Sequence, residues 1–225
     1  MSSDTTTTTT SASSLSKILN STPNRPHLDF SSLQALFPHS QATPEPSPLW
    51  YVLTTAVLLS FHKEKLIGEL WTYLATNIEN DESQDHHQEH LLPAARRIRE
   101  ACLKASTLVG FPRAINALTS LNSSISHTHP SLSMILSSDQ SLRSSLSTSE
   151  KSARGMALFT QIYQQHTSRV LDAMDAASGG DLTHFAINCI YGELLSEDRV
   201  IGALETGLLE FACCLADGCG PQAKG

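Results

Sequence analysis

Apolar residues recur at three- and four-residue steps along most of the chain, which is the spacing of one face of an α-helix. Two helices are predicted after Pro48, meeting near His62-Lys63, and their apolar positions are Leu49, Val52, Leu53, Ala56 and Leu59, then Leu66, Leu70 and Leu74. No segment alternates apolar and polar residues for long enough to predict a β-strand. We therefore predict an all-α protein.

The next helix and its end are marked by glycine and proline. After a charged linker over residues 77–90, an amphipathic helix is predicted over residues 95–109. Gly110 suits the C-terminal end of that helix, because glycine readily adopts the conformation that ends a helix. Pro112 suits the first turn of the following helix, where its missing N–H has no partner to lose. The sequence therefore predicts a tight helix–helix junction here.

The apolar spacing is less regular in the rest of the chain, after residue 121. Residues 122–149 are Ser-rich and predict a loop with one or two short helices. A long helix is predicted over residues 156–174, ended by Gly179-Gly180. Asp181 is predicted to cap the helix that runs through Tyr191, and Ser196 to cap the last long helix.

The first 47 residues differ in composition from the rest of the chain. They contain a Ser/Thr tract followed by scattered prolines, which interrupt helices. We predict a largely disordered tail over residues 1–47 and one helical domain over residues 48–225. Two apolar groups in the tail, at residues 15–19 and 30–36, are candidates for short helices that dock on the domain.

Net charge argues against nucleic acid as a partner. The 225 residues include 15 basic and 22 acidic side chains, for a formal net charge of −7. The densest basic group, Arg96-Arg97-Ile98-Arg99, belongs to an amphipathic helix rather than to a basic surface. The hydrophobic fraction of 40% is sufficient for one packed core.

Apolar run length and cysteine content bear on the cellular compartment. The longest apolar run, residues 49–61, is too short for a membrane span, so none is predicted. The segment MSSDTTTTTTSASS lacks the basic start and apolar block of a secretory signal. Five cysteines, an odd number, favour reduced thiols inside the cell. We predict an intracellular protein, with the cytoplasm favoured and the mitochondrion and peroxisome left open.

Two stretches of the chain carry a family resemblance. The first is LLPAARRIREACLKASTLVGFPRAINAL, at residues 91–118, and the second joins YGELL, at residues 191–195, to LETGLLE, at residues 204–210. They resemble the carboxymuconolactone decarboxylase-like, alkylhydroperoxidase-like (AhpD-like) superfamily, especially its divergent fungal members. The resemblance implies an AhpD-like helical domain built from two related helical units. It also implies self-association into a homo-oligomer and a small-molecule substrate.

Glu205 is the candidate acid/base residue. A helical projection of the last long helix places Glu205 at the edge of an apolar stripe and Glu210 on the far side; the stripe contains Ile201, Leu204, Leu208, Phe211, Ala212 and Leu215. Desolvation beside apolar residues raises the pKa of a carboxyl group toward values useful for proton transfer. The resemblance also places the superfamily's glutamate at Glu205. The alternative is partial burial, or an ion pair with Lys or Arg from another helix.

The cysteines depart from the superfamily pattern. Its peroxide-reducing members carry a CxxC pair followed by a histidine, whereas Cys213 and Cys214 are adjacent here and Cys219 has no partner three residues away. Cys219 is the candidate redox thiol because glycines flank it and favour exposure. The alternative for all three is structural packing. The sequence ends at Gly225 before the expected histidine, so we expect either a longer natural chain or an incomplete catalytic set.

Two functional hypotheses follow. The first is a decarboxylase or hydroperoxide-reducing enzyme that acts on a small metabolite in fungal metabolism, with Glu205 and Cys219 in the site and with no cofactor or metal. The alternative is a non-catalytic AhpD-fold binding or assembly protein that has lost the CxxC/His chemistry. The His-rich segment at residues 85–90 suggests metal ligands, but a solvated linker is the favoured interpretation because the segment has no apolar shell.

Overall fold

In a computed structural model, the chain is described over residues 28–37, 48–81 and 87–219. All regular structure in these ranges is helical, which confirms the predicted all-α class. The α-helices are α1 (Phe30–Ala35), α2 (Leu49–Ser60), α3 (Leu66–Asp81), α4 (His87–Val109), α5 (Phe111–Thr128), α6 (Pro130–Ser138), α7 (Thr148–Tyr163), α8 (Thr167–Ser178), α9 (Asp181–His184) and α10 (Ala203–Ala216). A π-helix, Phe185–Leu195, continues from α9, and a 3-10 turn, Gln164–His166, joins α7 to α8.

The short helix α1 packs on the rest of the molecule. Asp29 caps it by accepting hydrogen bonds from the backbone N–H groups of Ser31 and Ser32. Phe30 is buried, and the Tyr73 hydroxyl of α3 donates to the Gln34 side chain at 2.8 Å. The candidate helix at residues 30–36 is therefore present. The candidate at residues 15–19 and most of the predicted tail lie outside the described residues.

The larger of two hydrophobic cores is built around α2. This helix is apolar on almost every side, as expected for one surrounded by others, and it contacts α1, α3, α4, α5 and α10. Its Trp50 and the Trp71 of α3 are completely or almost completely buried. None of the described helices combines the length and apolar character that a membrane span requires.

The predicted junction after α4 is confirmed. Gly110 has a φ of 97°, a conformation that favours glycine, and Pro112 lies in the first turn of α5. Arg113 follows, at a helix start where a cation is poorly placed for the helix dipole. Its guanidinium instead donates to the carbonyl oxygen of Ser60 at 3.1 Å, at the C-terminal end of α2. Arg113 therefore ties the start of α5 to the end of α2.

A second, smaller core joins α7 to the π-helix and α8. Its buried residues are Leu158, Phe159, Ile187, Tyr191 and Leu195. Helix α7 and the π-helix approach closely because glycines face each other: a Cβ added at Gly155 would lie 2.5 Å from the Ile187 carbonyl oxygen and 2.6 Å from the Gly192 nitrogen. A larger residue at Gly155 would therefore push the two helices apart.

Several predicted helix boundaries are wrong. The long helix predicted over residues 156–174 is broken at Gln164, which has a φ of 45°. Ser196 does not cap α10; its hydroxyl donates to the Tyr191 carbonyl at 2.6 Å, and α10 begins at Ala203. The segment at residues 122–149, predicted as a loop with one or two short helices, contains the short helix α6, but α5 also extends into it as far as Thr128. The Ser196 hydroxyl bonds to the backbone before it instead of capping the helix after it. Sequence pattern does not reveal which of these two bonds a serine forms.

Candidate functional site

Glu205, the predicted acid/base residue, lies in the first turn of α10. Its carboxylate pairs with the Arg97 guanidinium of α4 and accepts a hydrogen bond from the Gly202 backbone N–H at 3.1 Å. The side chain is 25% exposed. This is the ion pair with another helix that the sequence left as the alternative. The geometry is that of a helix cap and an interhelical tie, and a catalytic role for Glu205 stays a prediction.

Helix α10 buries a different face from the predicted apolar stripe. Its buried residues are Thr206, Leu209, Glu210 and Cys213. Three members of the predicted stripe are exposed instead: Leu204 (74%), Phe211 (47%) and Leu215 (63%). The placement of Glu210 on the far side from the core was therefore wrong. The helix buries polar residues because other helices supply polar partners for them, which a projection of α10 alone does not reveal.

Glu210 is a buried carboxyl group with few partners. Only 7% of its surface is exposed, and burial raises its pKa to about 7, although Lys104 and a Tyr191 hydrogen bond act in the opposite direction. The Tyr191 hydroxyl donates to Oε2 over a long 3.5 Å. Its other oxygen, Oε1, is buried without a hydrogen-bond partner among the described residues. Glu210 is therefore able to gain or lose a proton near neutral pH.

Lys104 supplies the positive charge at this site. It is completely buried on α4, and its Nζ donates to the carbonyl oxygens of Glu197 and Ile201 at 2.6 and 3.0 Å and to the Thr206 hydroxyl at 2.8 Å. The Glu100 carboxylate, one helical turn away and also completely buried, lies 2.9 Å from the same Nζ. Burial raises the pKa of Glu100 and lowers that of Lys104. Four oxygen atoms around Nζ are the environment of an ammonium ion.

Glu197 anchors the connection between the π-helix and α10. Its carboxylate is 1% exposed and accepts from Arg154 at 3.1 Å and from Arg199 at 2.5 Å. Burial alone would raise the pKa of Glu197, but these hydrogen bonds outweigh it and lower the pKa. Arg154 also donates to the Gly192 carbonyl at 2.9 Å. The contacts of Arg154 with Glu197 and Gly192 therefore fix the end of the π-helix.

The π-helix positions the tyrosine that reaches Glu210. π-Helical segments are rare and often occur at functional sites. Tyr191 lies within this segment, and its ring packs edge-on against Phe159. Its hydroxyl also interacts with that of Tyr163, which is only half-buried. Tyr191 and Tyr163 therefore lie on the side of Glu210 that leads from the buried carboxyl group toward a partly exposed residue.

A surface cleft of about 560 Å³ lies beside this buried network. Arg99 and Leu103 line it, and they immediately precede Glu100 and Lys104 along α4. The other walls come from the loop after α6, from α7 and from the π-helix; they include Asp139, Leu142, Arg143, Lys151, Glu193 and Leu194. Asp139 is neutralised by Arg96 and Arg99, and Glu193 by Lys151. Three cations, Arg99, Arg143 and Lys151, line the cleft against two carboxylates, Asp139 and Glu193, and this excess of positive charge suits a small anion.

The three C-terminal cysteines differ in exposure. Cys213 is completely buried, and burial raises the pKa of its thiol to about 12. This agrees with the packing alternative for Cys213. Cys214 and Cys219 are both partly exposed at the end of α10. The redox role predicted for Cys219 remains a prediction.

The His-rich segment at residues 85–90, interpreted as a solvated linker in preference to a metal site, lies partly outside the described residues. Residues 82–86, which include Asp85 and His86, lie outside the described residues, whereas Glu89 and His90 are exposed. Within the described ranges, no cluster of three or more His, Cys, Asp or Glu side chains is arranged to hold a metal ion.

Sequence reasoning missed the residues at the centre of this site. One usable signal was the i,i+4 spacing of Glu100 and Lys104, which places opposite charges on one face of α4 amid apolar residues. The others had no local signal, since Tyr191 and Glu210 become neighbours only when the π-helix packs against α10.

Two proteins of known name are similar to this chain, and their names state no reaction. Peroxisomal protein 2 of Schizosaccharomyces pombe is 34% identical over 138 residues, which are 61% of this chain and 61% of the relative. Peroxisomal protein 2 of Saccharomyces cerevisiae is 29% identical over 146 residues, 57% of this chain and 51% of the relative. The chain thus spans less than two thirds of either relative. No family model and no solved structure matches.

Proposed function

We propose that this protein is a carboxymuconolactone decarboxylase-like enzyme that carries out acid–base chemistry on a small carboxylated or peroxidic metabolite. Glu210 is the residue that exchanges the proton. Lys104 provides positive charge beside it, and Tyr191 and Tyr163 relay the proton. Under this proposal Glu205 supports the start of α10 and does not react.

One observation carries the proposal: Glu210 is a buried carboxyl group with a pKa near 7 and an oxygen atom that lacks a hydrogen-bond partner among the described residues. A group whose pKa lies near the working pH is suited to both donating and accepting a proton. Structural ion pairs also perturb pKa values, but within the described residues Glu210 forms no such pair with a cation, and Lys104 donates elsewhere.

The proposal also includes an AhpD-like fold and a cellular compartment. The resemblance supports an AhpD-like domain of two related helical units, and the two hydrophobic cores are compatible with that division. Because both relatives are named peroxisomal proteins, we propose the peroxisome as the compartment. The cleft with Arg143 supports an anionic substrate.

The experiment is an activity screen with two matched variants. Small carboxylated lactones and organic hydroperoxides are offered to the wild type, to Glu210→Gln and to Glu205→Gln. Loss of a general acid–base group is expected to lower turnover by about 100-fold or more in Glu210→Gln. Glu205→Gln is expected to retain most of the turnover. Wild-type turnover by Glu210→Gln on every accepted compound would refute the proposal.

A second candidate function is assembly through the exposed face of α10. Leu204, Leu208, Phe211 and Leu215 follow the alternating four- and three-residue spacing of a coiled-coil seam, and three of them are strongly exposed. A second copy of the chain would bury this face, in agreement with the self-association that the resemblance implies. Sedimentation velocity should show an oligomer for the wild type and a monomer for Phe211→Lys. Met134→Lys, at an apolar position of α6 that is even more exposed (74%, against 47% for Phe211), should remain oligomeric.

A further inference from the structure

The end of α10 brings two cysteines together through its backbone. Gly218 adopts a left-handed conformation with a φ of 73°, and its N–H donates to the Leu215 carbonyl at 3.3 Å. The Cys219 N–H donates to the Cys214 carbonyl at 2.8 Å. These two bonds define a Schellman cap, in which the residues at the positions of Cys214 and Cys219 commonly make a side-chain contact.

The backbone bond places the two cysteines within disulfide range. With an N···O distance of 2.8 Å between them, standard bond lengths limit their Cα–Cα separation to about 6.7 Å. Disulfides form when the Cα atoms are within about 7 Å. The Cα separation of Cys214 and Cys219 therefore meets the distance condition for a disulfide.

Two further observations support a contact between the thiols. Burial raises the pKa of Cys214, and the negative charge of a nearby Cys219 thiolate raises it further. Both residues are partly exposed, whereas Cys102 and Cys213 are buried and Cys189 is exposed in the π-helix, away from this cap. A dissolved oxidant can therefore reach this pair.

We propose that Cys214 and Cys219 are a redox-active dithiol that closes a disulfide across the C-terminal cap of α10 on reaction with glutathione disulfide. The Cys219 thiolate attacks one sulfur of glutathione disulfide, which forms a mixed disulfide and releases one glutathione. Cys214 then loses its proton and attacks the Cys219 sulfur, which releases the second glutathione. Two protein thiols are oxidised, and one glutathione disulfide is reduced to two glutathione molecules.

In this proposal Cys214 is the resolving cysteine for Cys219. It does not stand at the three-residue spacing of a CxxC motif. The two cysteines are five residues apart in sequence. The left-handed conformation of Gly218 turns the chain so that Cys219 lies beside Cys214. The proposal is independent of acid–base chemistry at Glu210, so either can fail without the other.

The test uses the reduced 225-residue chain and glutathione disulfide at neutral pH, with intact-mass analysis. Every protein in the test, including the wild type, also carries Cys189→Ser, because Cys189 is exposed and would itself take up glutathione. The wild type should lose two hydrogens and carry no glutathione at the cap, because an intramolecular thiol acts at an effective concentration on the order of millimolar. Cys214→Ala should stop at the mixed disulfide and carry one glutathione on Cys219. A wild type that accumulates this same stable mixed disulfide, with Cys214 free, would overturn the proposal.

Two controls identify the pair. All three C-terminal cysteines fall between Arg199 and Lys224 in one tryptic peptide, so variants must distinguish them. Cys213→Ala, adjacent to Cys214 but altering a buried thiol, should form the disulfide as the wild type does. Gly218→Ala disfavours the left-handed conformation and should slow ring closure, so that mixed disulfide accumulates. Loss of the disulfide in Cys213→Ala, with retention in Cys214→Ala, would assign it to Cys213 and overturn the proposal.

Discussion

The first turn and the middle of α10 present two glutamates in opposite electrostatic settings. Glu205 pairs with Arg97, caps the Gly202 N–H and remains partly exposed. Glu210, five residues later, is buried, has no ion pair in the part of the chain that the structure describes, and has a pKa raised to about 7. The same side chain therefore serves as a structural tie in one position and as a proton-exchanging group in the other. The difference lies in what α4 and the π-helix place opposite each residue.

Removal of the buried cation, Lys104, is expected to have the largest effect on the free energy of unfolding. Lys104→Met leaves Glu100 buried without its partner, and loss of one member of a buried pair costs about 3–5 kcal/mol of unfolding free energy. Urea unfolding measures the loss. The double variant Glu100→Leu/Lys104→Met should recover most of it, since apolar replacement of a whole buried pair is often close to neutral. A single variant within about 1 kcal/mol of wild type would show that the charges are solvated.

The next largest effect is a pH dependence that belongs to Glu210. Its pKa is about 7 in the folded state and near 4.5 when unfolded, so the folded state binds more protons between these values. Stability from this group is therefore complete below pH 4.5 and is lost as the pH rises through 7, by about 3 kcal/mol in total. Glu210→Gln should remove this decline, which urea unfolding across that pH range would reveal. A constant difference from wild type at every pH would contradict the assignment.

A smaller loss is expected when the support of Tyr191 is disturbed. Gly155→Ala places a Cβ against the π-helix backbone, and such overpacking costs about 1–3 kcal/mol. Gly207→Ala is the matched control, because a Cβ there meets nothing within 4 Å and alanine favours helix by about 0.5–1 kcal/mol. Thermal unfolding should therefore move in opposite directions for the two variants. A neutral Gly155→Ala would mean that α7 and the π-helix separate easily.

The smallest effect is expected at Glu205. Glu205→Gln weakens a partly exposed ion pair and a helix cap, which together are worth about 1 kcal/mol. A double-mutant cycle with Arg97→Gln separates the two contributions, since the ion pair is lost in either single variant. A loss above about 3 kcal/mol in Glu205→Gln would place Glu205 in a buried site like that of Glu210 and erase the contrast.

Sequence pattern was sufficient for the helices that bury apolar faces and insufficient for the site. The all-α class and the Gly110-Pro112 junction follow from local periodicity and from backbone preferences. The orientation of α10 does not, because its most apolar stripe is exposed and Glu210 is buried among partners about 20 to 100 residues away in sequence. The π-helix adds to this difficulty, since it shifts side chains away from the α-helical projection on which sequence analysis relies.

The most direct test of the central claim is an NMR titration of the glutamate side-chain carboxyl carbons. Comparison with Glu210→Gln assigns the Glu210 signal, and comparison with Glu205→Gln assigns that of Glu205. The account predicts a Glu210 midpoint near its pKa of about 7. A Glu210 midpoint at or below the ordinary value of 4.5 would contradict it, because Glu210 would then be ionised at neutral pH and unable to donate a proton.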